Sequence, residues 1–235
     1  MLRQLIDLAK QASLKNSGVD SDFLTPEEYS SFLENRKQFH FVENKVYKED
    51  WERKLIHFGL GEAEISILHI RSKSGRFVKL KHPDYLGALI GLGLDRKVLG
   101  DIIAFEEEAF VYVKSTMEDF LLHHLKEVGR ASVEVETIEE IPQDKLPKSQ
   151  VEEVVLSSLR IDRFLASVFH LARKKSQEAI QEGLVFIDGL SITKIHTDVE
   201  ENQRISLRKK GKVRLLKILR KTKKGSLVIQ IERYL

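Results

Sequence analysis

The stretch SLRIDRFLASVFHLARKKSQEAIQEGLVFIDG, from Ser158 to Gly189, decides the fold of the C-terminal part of the chain. Its first half places apolar residues at the spacing of one helix face, which predicts an amphipathic helix. The residues of that face are Ile161, Phe164, Leu165, Val168 and Phe169. Arg160 and Arg163 fall outside the apolar face, so we expect both cations to point towards solvent.

A second helix is predicted at 173–182, and it opens on three consecutive cations. These are Arg173, Lys174 and Lys175. Gly183 ends the helix, since glycine readily adopts the left-handed conformation that is common there. The residues that follow alternate as in a strand, and Asp188-Gly189 is typical of a tight hairpin turn. The stretch therefore predicts two short helices followed by a β-hairpin.

This pattern resembles the small RNA-binding module named after the fourth protein of the small ribosomal subunit, called the S-four domain below. The resemblance rests on the segment 160–165 (RIDRFL), on Arg173 and on the segment 183–189 (GLVFIDG). The chain departs from the usual pattern with Ala172 in place of a serine and Asp188 in place of an asparagine. The resemblance implies an S-four RNA-binding domain over residues 151–235.

The composition indicates a globular protein with a highly charged surface. A chain of 235 residues is long enough for two or three small domains. Of these residues, 42% are hydrophobic and 32% are charged. We expect no membrane span, because the apolar runs are far shorter than a bilayer requires. The chain contains no cysteine, which excludes disulfides and thiolate metal sites and fits a cytoplasmic protein.

The net charge of +3 hides an uneven distribution. From Val151 onwards there are 18 Lys and Arg against 10 Asp and Glu, a local charge of +8, whereas the preceding part has 21 against 26. Eleven of the cations lie between Gln203 and Lys224, without an acidic residue among them. A run of charge is often only a solvated surface, but cations contributed by two helices and a strand pair favour an anionic partner.

Residues 1–62 predict a mainly helical N-terminal region. The segment Thr25-Pro26-Glu27-Glu28 is a strong helix start, because Thr25 caps the helix and Glu28 reaches back to the cap amide. Asp50 is expected to cap a further helix over 51–58, which ends at Gly59 and Gly61.

Residues 63–140 predict the order β-α-β-β-α-β of a ferredoxin-like plait, so the fold class is α+β. The strands are expected at 65–70, 100–105, 109–114 and 132–138. One helix is expected from His82 to Leu92, and another from a capping box of Ser115 and Glu118 to near Gly129.

The third strand of this plait carries two aromatic side chains on one face, Phe110 and Tyr112. RNA-recognition domains share the topology and expose aromatic residues on their third strand. Phe110 and Tyr112 are therefore candidates for base stacking. The alternative is that the N-terminal helices pack on this face of the sheet and cover both rings.

The middle of the chain carries a second resemblance. The string HPDYLGALIGLG from His82 to Gly93, with the following segments 95–97 and 100–102, resembles the middle domain of the YlmH family. The segment 23–28 (FLTPEE) resembles that family's N-terminal region, so the resemblance covers nearly the whole chain. The family is associated with bacterial cell-division operons and with RNA binding on the ribosome, including stalled large subunits that still carry peptidyl-tRNA. The resemblance thus implies a bacterial, ribosome-associated protein of translation quality control without an assigned catalytic activity.

Catalytic and metal-binding patterns do not stand out in the sequence. The glycines between Gly87 and Gly93 lie within or just after a helix and lack the Gly-Lys-Ser/Thr ending of a phosphate loop, so close helix packing is the better interpretation. His123 and His124 point about 100° apart on a helix and do not readily face one metal ion. We expect no catalytic residue, no metal and no cofactor.

The segment 139–150 (EEIPQDKLPKSQ) contains two prolines, mixed charge and no periodicity, which predicts a flexible linker. After it, the cations of the two helices and of a strand-turn-strand segment form the expected RNA-binding surface. Arginine contacts phosphate through two hydrogen bonds, lysine acts as a point charge, and a helix start adds a partial positive charge. The candidates are Arg160, Arg163, Arg173, Lys174, Lys175, Lys194, Arg208, Lys209, Lys210 and Lys212.

Two functions remain open from the sequence. The favoured one is a non-enzymatic, monomeric protein that binds structured ribosomal RNA or tRNA on the ribosome or its large subunit. The other is an RNA-modifying enzyme, such as a pseudouridine synthase or a methyltransferase, that docks through the S-four domain. The first 140 residues are too few for either catalytic domain, which favours the binding protein. A structural role in cell division is a third option that the sequence does not separate.

Overall fold

The computed structural model describes residues 1–47, 51–73 and 78–234. The chain divides into two compact units, Met1–Leu146 and Pro147–Leu235. Within the described residues, the helices are too short and too polar to cross a membrane.

The first unit begins with two helices and a small antiparallel sheet. The helices are α1 (Leu2–Lys15) and α2 (Pro26–Glu34), and the strands, in the order β1-β3-β2, are β1 (Val19–Asp20), β2 (Asn44–Tyr47) and β3 (Leu55–Phe58). The predicted capping box of α2 is confirmed. The Glu28 N–H donates to the Thr25 hydroxyl at 3.3 Å, and the Thr25 N–H donates to the Glu28 carboxylate at 2.9 Å.

The helix predicted at 51–58 is wrong, because Leu55–Phe58 form the central strand of the small sheet. All four residues of this strand are buried. A short segment that is buried on both faces has apolar residues on both of them. The hydrophobic pattern then does not distinguish a strand from a helix. The predicted cap, Asp50, lies outside the described residues. Gly59 and Gly61 adopt φ angles of 92° and 93° in the turn that follows the strand.

The rest of the first unit is the predicted plait with one short added strand. Its elements are β4 (Ile65–Ser72), α3 (His82–Gly91), β5 (Leu99–Ala104), β6 (Glu108–Lys114), α4 (Glu118–His124), β7 (Glu127–Val128) and β8 (Ala131–Ile138). The sheet order is β5-β6-β4-β8-β7, and neighbouring strands are antiparallel. The α+β fold class and the ferredoxin-like order are therefore confirmed.

The start of α4 differs from the prediction. A short 3-10 turn at Ser115–Met117 precedes the helix, and the capping box of Ser115 and Glu118 is not formed among these described residues. The Glu118 carboxylate accepts hydrogen bonds from the hydroxyls of Thr137, at 2.7 Å, and of Ser66. Both partners lie on strands of the sheet. Glu118 therefore connects α4 to the sheet and does not cap the helix.

The prediction that glycines let α3 pack closely is wrong for Gly87 and Gly91. A Cβ atom on either residue would meet no atom of the described structure within 4 Å. The opposite side of the helix makes the contacts, since Tyr85 and Leu89 are fully buried in the core of the plait. The glycine that does permit close packing is Gly100 on β5. A Cβ atom at this position would lie 2.9 Å from both the Phe23 ring and the Cβ of Tyr112.

The segment 139–150, predicted as a flexible linker, makes contacts with the first unit at one end and with the second unit at the other. Ile141 is buried in a hydrophobic cluster of the first unit, and Leu146 packs against the same cluster. Lys145 forms an ion pair with Glu108. The residues from Ser149 onwards already pair as a strand of the second unit. The boundary between the two units follows Leu146 and so lies within the predicted linker. Ile141 and Leu146 belong to the packing of the first unit and Ser149 to a strand of the second. The flexibility of the segment stays a prediction.

The second unit combines a six-stranded antiparallel sheet with two helices. Its elements are β9 (Ser149–Leu156), α5 (Ile161–Val168), α6 (Arg173–Gln181), β10 (Val185–Ile187), β11 (Leu190–Ser191), β12 (Arg204–Leu207), β13 (Gly211–Lys221) and β14 (Leu227–Tyr234). The strand order is β11-β10-β12-β13-β14-β9. The two helices and the following hairpin lie where the sequence predicts them, and Asp188 and Gly189 form its turn with φ angles of 49° and 84°.

The core of this unit forms between the two helices and one face of the sheet. The five residues of the predicted apolar face of α5 are all buried. They pack with Ile180 of α6 and with strand residues, which include Val185, Val213, Leu215, Ile229 and Ile231. Both helices therefore cover the same face of the sheet.

Candidate nucleic-acid interface

One carboxylate, that of Asp162, organises the predicted site residues of α5 and α6. Asp162 is fully buried near the start of α5. It accepts hydrogen bonds from the guanidinium of Arg160 at 3.2 and 3.3 Å, from Nε of Arg173 at 3.2 Å, and from the amide of Gln177 at 3.2 Å. Arg160 precedes α5 and Arg173 begins α6, so the carboxylate joins the starts of the two helices.

The surroundings of Asp162 keep its side chain charged. Burial acts to raise the pKa of the carboxyl group, but the hydrogen bonds from Gln177, Arg160 and Arg173 outweigh burial and hold the pKa below its ordinary value. A buried carboxylate without such partners would be strongly unfavourable. Arg160 and Arg173 therefore have a structural role in addition to their predicted contact with RNA.

The first turn of α6 is unusual in its charge, because the helix opens on three cations. A helix N-terminus carries a positive partial charge, so cations at this end oppose the helix dipole. The cap position holds Ala172, whose side chain offers no hydrogen-bond acceptor to the first amides of the helix. These features destabilise the isolated helix but favour the binding of an anion at its start. The anion would contact the uncapped amides and the cations together.

The cations of this turn extend into solvent. The side chains of Arg173 and Lys174 are 55% and 88% exposed, and Lys175 is exposed as well. The Lys174 ammonium group lies 4.0 Å from the Glu178 carboxylate one turn later. An exposed pair of this kind contributes little to stability, so Lys174 is able to turn towards a ligand at small cost.

Two further candidates lie beside the start of α5. Arg163 is half-buried and donates to the Ser157 hydroxyl at 3.4 Å. Lys194 is exposed in the loop after β11. The same loop is fixed to α5, because the Thr197 carbonyl accepts a hydrogen bond from the Ile161 N–H at 2.8 Å. We call this set the helix ridge: Arg160, Arg163, Arg173, Lys174, Lys175 and Lys194.

The remaining candidates lie towards the other end of α6 and form a second group. The turn between β12 and β13 exposes Arg208, Lys209 and Lys210, and Lys212 follows on β13. The Arg208 N–H donates to the Leu184 carbonyl at 3.0 Å, just beyond the end of α6. A nine-residue helix is about 13 Å long. These four residues, the turn group, are thus held at the opposite end of α6 from its basic first turn.

The predicted role of Phe110 and Tyr112 in base stacking is wrong, because both rings lie in the interior. Phe110 is 1% exposed and Tyr112 is 5% exposed. Phe110 stacks on His69 with ring centroids 4.6 Å apart, and Tyr112 packs edge-on against Trp51 at 4.7 Å. The alternative, that the N-terminal helices pack on this face, is right that the face is covered but wrong about what covers it. The cover comes from Phe23 in a loop, Leu55 on β3 and Ile141 after β8.

Asp162 and Gln177 are not among the site residues predicted from the sequence. An acidic residue in the first turn of a helix is favoured by the helix dipole alone, so Asp162 has an ordinary explanation in sequence terms. The one signal is its position between Arg160 and Arg163 at the start of an otherwise apolar helix. Its contact with α6 depends on how the two helices meet, and the spacing along the chain does not contain that information.

The arginine and lysine side chains of the helix ridge and of the turn group are charged N–H donors that can bind anions. Arginine matches the geometry of phosphate and lysine supplies point charge. Among the described residues, groups of three His, Asp or Glu side chains that could hold a metal ion do not occur.

Replacing Asp162 with asparagine removes the negative charge that two arginines share. We expect the free energy of unfolding at pH 7 to fall by about 1 to 3 kcal/mol, the cost of poorly satisfied buried polar groups. The pKa of Asp162 is lower in the folded than in the unfolded chain, so its carboxylate stabilises the fold above the unfolded pKa of about 3.9. This contribution is lost as the pH falls through the folded pKa, so urea unfolding of D162N and wild type should converge in acid.

The control is D198N, which removes an exposed carboxylate from the same unit and should change stability by less than about 0.5 kcal/mol. If D162N and the wild type were equally stable at every pH, the charged network around Asp162 would not exist.

Comparison with known proteins gives the family. Residues 61–141 match the family model described as "Putative RNA-binding domain in YlmH". The chain is 33% identical over 172 residues to "Ribosome-associated protein quality control protein P2" of Bacillus subtilis (strain 168), and this match covers 72% of the chain and 66%, just under two thirds, of that protein. The solved structure "Cell division protein ylmH from Streptococcus pneumoniae" matches at a TM-score of 0.49 and 18% identity, over 58% of this chain and 88% of that one. The chain belongs to the YlmH family.

Proposed function

We propose that the chain is a non-enzymatic RNA-binding protein whose second unit contacts the phosphate backbone of structured RNA. The observation that carries this proposal is the uncapped, basic start of α6, which the buried Asp162 holds next to Arg160. The local charge of +8 from Val151 onwards supports it, because a field of that sign attracts an anionic polymer before contact is made. The description of the matching family model also names RNA binding.

The proposed site of action is the ribosome. The relative from Bacillus subtilis is named as ribosome-associated and as a protein of quality control. The second unit would act as an S-four domain, with the helix ridge on the backbone of ribosomal RNA or tRNA at the large subunit. Duplex RNA suits such a surface, since its bases are largely inaccessible and proteins recognise it through its shape and its backbone.

The first unit contributes in a different way. The face of the plait sheet that carries Phe110 and Tyr112 is closed by the packing of Phe23, Leu55 and Ile141. Any contact of residues 61–141 with RNA would therefore use the outer surfaces of the plait, and bases would not stack on these two rings.

The helix ridge is tested by replacing Lys174 and Lys175 together with glutamine. Both side chains are exposed, so folding should be nearly unchanged. Arg173 is left in place because it also holds Asp162. Affinity for a structured ribosomal RNA fragment should fall, and the slope of log affinity against log salt should decrease by about 1.4 to 1.8, since each lost phosphate contact removes roughly 0.7 to 0.9. The loss should be similar for fragments of different sequence, because phosphate contacts do not specify bases.

The matched control replaces Lys223 and Lys224, two exposed lysines in the turn between β13 and β14, with glutamine. This variant has the same net charge as the first but should keep most of the affinity and the slope. If the Lys223/Lys224 variant lost both and the Lys174/Lys175 variant kept both, the helix ridge would not be the binding surface.

The absence of catalysis is tested separately. Purified protein is incubated with ribosomal RNA and tRNA, with and without a methyl donor, and the nucleosides are analysed by mass spectrometry. We expect the nucleoside composition to stay the same. A new modification in stoichiometric amount would overturn the proposal of a binding protein and favour an RNA-modifying enzyme.

A further inference from the structure

The sheet of the second unit has a face that its helices do not cover. Strand residues in the core alternate with residues on the opposite side. On β10, Val185 and Ile187 are in the core, so Phe186 lies on the opposite face. On β14, Ile229 and Ile231 are in the core. We call the side of the sheet away from α5 and α6 the outer face.

The same alternation assigns Tyr234 to the outer face. Its neighbour Arg233 lies on the helix side, because the Arg233 guanidinium donates to the Val168 carbonyl of α5 at 2.8 Å. The outer face is open to solvent at β9, where Val151 is 55% exposed and Val155 is 59% exposed. A soluble antiparallel sheet often leaves one face open, but it then carries mainly polar residues.

The register of the strands places two aromatic rings in one row across the outer face. Phe186 pairs with Ser206, Ser206 pairs with Lys212, and Lys212 pairs with Tyr234. With strands about 4.8 Å apart, the two aromatic residues are separated by about 14 Å. The lysine stands between the rings, next to the tyrosine.

The neighbouring row on the outer face adds positive charge. Arg204 pairs with Arg214, which pairs with Glu232. The guanidinium of Arg208 also lies over the Phe186 ring, 5.8 Å from its centroid. Aromatic rings set among arginine and lysine form the kind of surface on which unpaired bases stack while cations contact the phosphates between them.

We propose that the outer face binds unpaired nucleotides, with bases stacked on Phe186 and Tyr234. This inference rests on the proposed RNA binding and extends it, because the helix ridge lies on the other side of the sheet and suits duplex backbone. One domain would then engage a paired and an unpaired segment of RNA on two different surfaces. The turn group, which includes Arg208, lies at the edge of the outer face and belongs with it.

The test compares two fluorescent probes, decauridine and a fully paired RNA hairpin, by anisotropy with the full chain. The variant F186L/Y234L removes both rings and keeps apolar side chains at both positions. Its affinity for decauridine should fall by at least about fivefold for each ring lost. Its affinity for the hairpin should change less than about twofold. The matched variant F186Y/Y234F keeps two rings and should bind decauridine as the wild type does.

A second measurement does not depend on the folding of a variant. Decauridine that carries 5-iodouridine should crosslink under ultraviolet light to Phe186 or Tyr234 of the wild-type chain, and mass spectrometry identifies the attached peptide. Crosslinks that avoid both residues, or full decauridine affinity in F186L/Y234L, would overturn the proposal and leave the outer face to a protein partner. If the wild-type chain binds the hairpin but not decauridine, this inference alone is overturned. If the wild-type chain binds neither probe, the proposed function is overturned as well.

Discussion

The buried carboxylate of Asp162 is the interaction on which the second unit depends. A charge removed from water needs close partners, and Arg160, Arg173 and Gln177 supply them. These partners come from the segment before α5 and from the first two turns of α6, so one carboxylate fixes how the two helices meet. The same contact holds positive charge beside the start of α6, where a helix on its own would favour acidic residues. The stability of the fold and the proposed affinity for anions therefore depend on the same side chains.

A different constraint shapes the first unit, because the plait sheet has two apolar faces and its helices cover one. Phe23, Leu55 and Ile141 cover the other face, and Gly100 lets the Phe23 ring approach β5 closely. The ring of Phe110 is buried there as a result. The unit shares its topology with RNA-recognition domains without sharing their stacking surface. Topology alone is thus a poor guide to the binding surface, which has to be located from exposure and charge.

Elements with a clear period along the sequence were predictable, as the apolar face of α5 and the order of the plait show. Strand β3 was not predictable in type, because a four-residue run buried on both faces has no distinguishing period. The candidate cations were proposed from the sequence, but their division into two groups in space could not be predicted. That division depends on the hydrogen bond from Arg208 to Leu184, which joins segments far apart in the chain. The role of Asp162 depends in the same way on a contact between helices.

In the proposed function, RNA binds to the second unit of the chain. Ultraviolet crosslinking of the full chain to RNA in cells, with mass spectrometry of the peptides and sequencing of the RNA, tests it most directly. Crosslinked peptides are expected to fall within residues 157–234, including the start of α6, and the RNA is expected to be ribosomal RNA or tRNA. Crosslinks confined to residues 61–141, with the second unit free of RNA, would contradict it.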